Sequence, residues 1–184
     1  MSFYLNRNFV GRIGSEVSNV TYCKCKDAPS SVYGKESEDC EWRPFIERKD
    51  ILVWRREHKT MKGSYEYKMY GNFDDVSADE FLSVQLDMSE FRLSWDKSTA
   101  QCVVIDENKS DDNHGIVYYW EVNWPRFFSN RDYCCYREHQ MDPESGTFLV
   151  LSKSVDHPNC PSKKKTWRVQ DYSSVLVIKP HTTR

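Results

Sequence analysis

The pattern of apolar and polar positions changes character near residue 41. Residues 26–40 are polar and rich in turn-formers, the texture of a linker. Beyond them, short apolar runs alternate with polar turns. Ile51 to Arg56 and Tyr65 to Tyr70 are β-branched and aromatic, with Gly63 and Ser64 just before the second run. They predict two strands joined as a hairpin. Ser77 and Glu80 then stand three apart ahead of Phe81, Leu82, Val84, Leu86 and Met88, which recur at helical spacing. This predicts a capping box, in which each side chain satisfies the other residue's backbone N–H, and a helix of about three turns.

The rest reads as strands. Cys102 to Ile105 predicts a short strand, with acidic residues 106–112 forming the turn. Tyr118, Trp120, Val122 and Trp124 alternate with Tyr119, Glu121 and Asn123, a period of two that Pro125 ends. Tyr133 to Arg137, Thr147 to Leu151 and Trp167 to Ile178 continue the series, separated by turn-rich residues 142–146 and 157–161. The sum is an antiparallel sheet with one inserted helix, an α+β class. The apolar face of such a sheet must be covered. One helix of three turns is too small to cover six or seven strands, and the last strand ends six residues before Arg184. The expectation is that the chain lacks a covering element.

Composition narrows the function. With 26 basic and 28 acidic residues the formal charge is −2, which argues against an electrostatic nucleic-acid binder. Charged residues are spread throughout, so no stretch approaches the roughly 20 apolar residues of a membrane span. Phe, Trp and Tyr make up 14% of the chain, too many for disorder. Seven glycines, against the roughly thirteen of average usage, make a glycine-rich phosphate cradle improbable.

Seven cysteines, at 23, 25, 40, 102, 134, 135 and 160, lack paired zinc-ligand spacing and follow no signal-peptide core. They read as reduced thiols of an intracellular protein, which leaves the sequons at Asn19 and Asn108 without meaning. Cys23 and Cys25 with Cys40 have no nearby histidine or fourth metal ligand. The first fifteen residues carry Arg7 and Arg12 and no acid, a weak likeness to a mitochondrial presequence that an ordinary exposed terminus explains better.

From Trp42 onward the chain resembles a START domain, the StAR-related lipid-transfer module. The likeness is strongest to its phosphatidylcholine-transfer branch and, within that, a mitochondria-associated member. It is carried by Trp54-Arg55-Arg56, by Tyr70 through Val76, by Val84 to Asp87 and by Phe91 to Asp96. Tyr119 to Val122, Ser129 to Tyr133 and Arg168 to Tyr172 complete the ordered series. The resemblance implies a helix-grip fold, a curved antiparallel sheet wrapped against a long C-terminal helix with one lipid between them. The sequence stops before the family's last strands and that helix. Residues 1–40 are then an N-terminal segment and linker, and 41–184 an incomplete START domain.

The same resemblance implies non-catalytic phosphatidylcholine binding and transfer by a monomeric cytoplasmic protein, associated with mitochondria and touching membranes transiently, with no cofactor. Choline offers no N–H to donate, so its natural receptor is a set of electron-rich rings. The positions that match the family's aromatic cage are Trp120, Tyr133 and Tyr172. Those matching its phosphate-binding arginine and neighbouring aspartate are Arg92 and Asp96, which at i and i+4 on a helical segment can pair. Read without the resemblance, the rings are more readily core aromatics and the pair a solvated surface ion pair. Arg131 and Asp132 are assigned to holding the fold, and Lys163 to Lys165 to a solvated loop with at most a modest membrane-docking role. Two other functions compete. Trp120 and Tyr136 could stack single-stranded nucleic acid or serve a protein-interaction module. Cys134 or Cys135 with His139 or His157 could form a nucleophile–base pair.

Overall fold

The computed structural model describes residues 43–48, 51–110 and 113–180, with backbone alone at 44, 47, 108–110, 113 and 114. The readings made for the polar linker, the arginine-bearing terminus, the sequons and Cys23, Cys25 and Cys40 lie outside the described side chains. The chain divides into two compact units at Asn72 and Phe73.

The first unit is a three-stranded antiparallel sheet of β1 (Arg43–Glu47), β2 (Ile51–Glu57) and β3 (Tyr65–Gly71), in that order. The expected hairpin of β2 and β3 is present. Its turn is closed by the His58 N–H on the Ser64 carbonyl at 2.9 Å, with Gly63 at φ +82°, a left-handed conformation that glycine adopts without a Cβ clash. Strand β1 was not anticipated, because Pro44 and a register shift after it mask any alternation.

The second unit begins with the helical segment. The capping box forms as predicted: Glu80 N–H donates to Ser77 Oγ at 3.2 Å, and Ser77 N–H donates to Glu80 Oε2 at 2.9 Å. Helix α1 (Ala78–Leu86) is shorter than the apolar spacing suggested. Asp87 leaves helical geometry and its carboxylate accepts the Ser89 N–H at 2.9 Å, and Ser89 caps a second helix, α2 (Glu90–Trp95). The inserted helix is therefore two short ones, because Asp87 and Ser89 compete for the backbone as capping residues do.

Strands β4 (Thr99–Ser110), β5 (Asn113–Val122), β6 (Asn130–Asp142), β7 (Thr147–Ser154) and β9 (Ser173–Ile178) form an antiparallel sheet in that order. Strand β8 (Thr166–Arg168) pairs parallel to the start of β6. Two expectations are corrected. Residues 106–110, expected within a turn, are strand: β4 continues through them after a bulge between Val104 and Asp106, paired with β5. The apolar run from Trp167 to Ile178 is two strands, not one.

Alternation sorts the sheet into two faces. Cys102, Val104, Ile116, Tyr118, Trp120, Tyr133, Cys135 and Arg137 meet in register on one. The helical segment lies on that face, tied by Arg137 Nη1 donating to the Gln85 carbonyl at 2.8 Å and by a Cys102–Met88 sulfur contact at 3.1 Å. The opposite face packs Tyr119, Cys134 and Cys160 with Ile105, Val117 and Val155. There Asp132, fully buried, pairs with Arg168 at 3.0 Å. Gly115 is required on this side, because a Cβ there would stand 2.2 Å from the Tyr136 hydroxyl. The α+β architecture expected from the pattern is the one found.

Candidate functional site

The five residues expected to form a site come from α2 and its C-cap, from β5, from β6 and from the segment just before β9, and they meet on one face. Arg92 projects from α2, and its Nε lies 3.3 Å from Asp96 Oδ2, the helix's C-cap residue. A second guanidinium nitrogen, Nη1, donates to the Asp87 carbonyl at 3.3 Å. Asp96 Oδ2 also accepts the Thr99 hydroxyl at 2.7 Å, and Thr99 Oγ1 in turn accepts the Trp120 indole N–H at 2.9 Å. Trp120 on β5 stacks on Tyr133 of β6, its register partner, at 5.1 Å between centroids and 28° between planes. Tyr133 meets Tyr172 edge-on at 5.3 Å and 71°. Tyr172 is held by reciprocal bonds to Ser154: its N–H reaches Ser154 Oγ at 3.1 Å and its carbonyl accepts the Ser154 N–H at 2.8 Å.

The array is one connected chain from cation to rings. Arg92 carries its guanidinium 5.8 Å from the Trp120 ring centre and 5.3 Å from that of Trp95, so one positive charge is already drawn toward the indole π-face. Asp96 stays ionised. Burial pushes its carboxyl up, but hydrogen bonds from Ser98 and Thr99 and the charge of Arg92 outweigh burial and hold it below the usual range. Burial, with the neighbouring Tyr172, raises the Tyr133 phenol, which therefore stays neutral and keeps its ring electron-rich.

Thr99 is the residue that the sequence reading missed in this array. It is 6% exposed and links the carboxylate to the indole. Its signal was position: it opens β4 three residues after Asp96. Arg137 is the other. It shares alternation with Tyr133, and its guanidinium sits 4.5 Å from the Tyr118 ring centre, bonded to Tyr118 Oη at 3.2 Å and Ser152 Oγ at 3.0 Å. Beside it opens a cavity of about 500 Å³, within the range of small-molecule sites, walled by Leu86, Met88, Val104, Ile116, Arg137 and His139 among others. None of the five predicted residues lines this cavity.

The competing readings fare poorly on geometry. Tyr136 is 8% exposed with its hydroxyl 3.0 Å from Glu138, so it offers no stacking platform. Burial pushes the Cys135 thiol up to about 11 and that of Cys134 up to about 12, so neither is a thiolate nucleophile at neutral pH. His139 follows Cys135 by four strand residues, about 13 Å along the strand.

Residues 31–184 match the START domain family. Among curated proteins, the chain is 31% identical over 146 residues to human StAR-related lipid transfer protein 7, mitochondrial, covering 79% of this chain and 38% of that protein. It is 31% identical over 140 residues to mouse phosphatidylcholine transfer protein, covering 75% and 62%. It thus spans about two fifths and three fifths of these relatives' lengths. Among solved structures, human STARD10 superposes with a TM-score of 0.62 at 20% identity, over 78% of this chain and 63% of that one. Human StAR-related lipid transfer protein 5 gives 0.61 at 16%, over 94% and 77%. Sequence and fold agree, and the chain belongs to the START domain family.

Proposed function

We propose that the chain binds a phospholipid, phosphatidylcholine in particular, and takes part in its transfer between membranes without covalent chemistry. The observation that carries this reading is the continuous array from Arg92 through Asp96 and Thr99 to Trp120, Tyr133 and Tyr172. A phosphocholine headgroup is a cation and an anion joined by a short tether, and the array offers a cation beside a set of rings. Arg92 meets the phosphate, with Asp96 fixing the guanidinium plane. The trimethylammonium lies against the aromatic faces. Trp120 and Tyr133 stack on each other, so the choline is received on their outer faces or by parting them. The acyl chains run into the cavity beside Arg137, along the walls formed by Leu86, Met88, Val104 and Ile116.

In this reading residues 1–40 are an N-terminal segment and 41–184 the lipid-binding part. The chain works as a cytoplasmic monomer that meets membranes transiently, with mitochondrial association suggested by one relative's name. It uses no cofactor. Two named relatives, one a phosphatidylcholine transfer protein, support the substrate class.

The test is extraction of labelled phosphatidylcholine from donor vesicles by Trp120→Ala and Arg92→Ala. Each should bind at least about tenfold less lipid than the parent, the loss expected when a buried charge-assisted or cation–π contact is removed. Parental extraction by both variants overturns the site assignment.

A further inference from the structure

One wall of the cavity beside Arg137 carries sulfur. Met88 lies in the link between α1 and α2 and lines the cavity with Leu86, Val104 and Ile116. Cys102 of β4, 8% exposed, donates its thiol proton to Met88 Sδ at 3.1 Å. A thioether sulfur has two lone pairs. The bond from Cys102 ties the sulfur to the sheet through one of them and leaves the other for chemistry.

The two sulfurs differ in reactivity. Burial pushes the Cys102 thiol up from its ordinary range, so it stays protonated at neutral pH and is a poor nucleophile. A thioether has no proton to lose, and its oxidation to the sulfoxide needs no prior ionisation. Exposure does not single out Met88. Met69 is 69% exposed, Met141 54% and Met61 38%, whereas Met88 is only partly accessible. An oxidant dissolved in water therefore meets those three first. An oxidant carried into the cavity meets Met88 first.

Arg137 adds a charge at the same cavity. Its guanidinium is held by the Gln85 carbonyl, Tyr118 Oη and Ser152 Oγ, so its position is set before any ligand arrives. A fixed cation at an apolar wall stabilises negative charge that develops beside it. A plain hydrocarbon chain develops none. A chain bearing a peroxide does, because breaking the O–O bond places charge on oxygen.

We propose that Met88 reduces hydroperoxides borne on the acyl chain of a lipid held in this cavity, and is itself oxidised to the sulfoxide. The Met88 sulfur attacks the terminal oxygen of the C–O–O–H group. The S–O bond forms as the O–O bond breaks, and the hydroperoxide proton passes to the departing alkoxide, whose charge Arg137 stabilises. Sulfur loses two electrons and the peroxide gains two. The products are Met88 sulfoxide and an acyl-chain alcohol, and each protein molecule consumes one hydroperoxide at this residue. The inference rests on the lipid-binding reading and adds oxidised phospholipid to the substrates of the same site.

The experiment incubates the full chain with phosphatidylcholine carrying a linoleoyl hydroperoxide and, in parallel, with hydrogen peroxide. Trypsin releases Met69 and Met88 on one peptide, residues 69–92, so fragment masses compare the two sulfurs within a single molecule. The lipid hydroperoxide should oxidise Met88 at least about tenfold faster than Met69, a small part of what holding two reactants together achieves. Hydrogen peroxide should reverse that order, following exposure. Excess unoxidised phosphatidylcholine should protect Met88 and leave Met69 unchanged, and the acyl-chain alcohol should accumulate in step with the sulfoxide.

Extraction of labelled, unoxidised phosphatidylcholine by the same preparation separates the two readings. Intact extraction, with Met69 oxidised ahead of Met88 by the lipid hydroperoxide, overturns the proposal and leaves lipid binding standing. Met88 leading under hydrogen peroxide as well also overturns it, because the sulfur is then reactive without a bound lipid. A chain that extracts no labelled lipid overturns both.

Discussion

Thr99 Oγ1 accepts the Trp120 indole N–H at 2.9 Å and donates its own proton to Asp96 at 2.7 Å, so one hydroxyl spends both its donor and an acceptor at the candidate site. Thr99→Val keeps the shape and removes both bonds, leaving a half-buried indole N–H and a carboxylate short of a donor. The variant should unfold about 1–3 kcal/mol more easily in urea, and Thr99→Ser should recover most of that. It should also retain less phosphatidylcholine, because the Trp120 ring loses its tether.

The Asp132–Arg168 pair on the opposite face should be costly to break singly. Asp132→Ala leaves a buried guanidinium without its carboxylate, and equilibrium unfolding should report a loss of about 3–5 kcal/mol. Replacing both residues with apolar ones of similar volume should be far milder. Asp132 Oδ1 and Arg168 Nε already lack partners, so the pair's own net contribution is small. A double variant as damaged as the single one would contradict this.

Gly115 should not tolerate a side chain while Tyr136 is present. The added methyl of Gly115→Ala would overlap the phenol, and overpacking of this kind costs about 1–3 kcal/mol. Tyr136→Ala also removes a buried ring. Combining the two should cost less than the sum of the separate losses, a coupling that a double-mutant cycle measures directly.

Acid should destabilise the second unit partly through Asp96. Its folded-state pKa lies below the unfolded value, so the native state binds fewer protons than the unfolded state. The resulting stability is present above the unfolded pKa, near 4, and is lost as pH falls through the lower folded value. Asp96→Asn should be less stable than the parent at neutral pH and should show a shallower decline below pH 4 in urea titrations.

The four buried thiols, Cys102, Cys134, Cys135 and Cys160, should resist iodoacetamide at neutral pH and react in urea. Peptide mapping after brief labelling checks this. Rapid native labelling of Cys134 or Cys135 would revive a nucleophilic role.

The parts of the fold legible in sequence were those in which one short-range rule acts alone. The Ser77–Glu80 box, the glycine in the β2–β3 turn and the period of two around Trp120 each need only neighbours in the chain. What escaped depended on distant partners. Residues 106–110 are polar enough for a turn, and it is pairing with β5 that makes them strand. Strand β8 is only three residues long and exists because the edge of β6 is open at Asn130–Asp132. The candidate array was approached through family resemblance, while Thr99 and Arg137 were passed over because what marks them, the bonds to the Trp120 indole and to the Gln85 carbonyl, joins distant segments.

The edge of β6 is shared: its first residues pair with β8 and its later ones with β7. Side chains on a strand change faces with every one-residue slip, so register must be fixed by something that a shifted alignment would violate. The Asp132–Arg168 pair supplies it. Sliding β8 by one position would turn the guanidinium away from its carboxylate and strand a buried charge, whereas an apolar pair would accept the slip at little cost. The salt bridge therefore acts as a proofreader of alignment, discriminating against misfolded neighbours of the native sheet more than it strengthens the sheet itself.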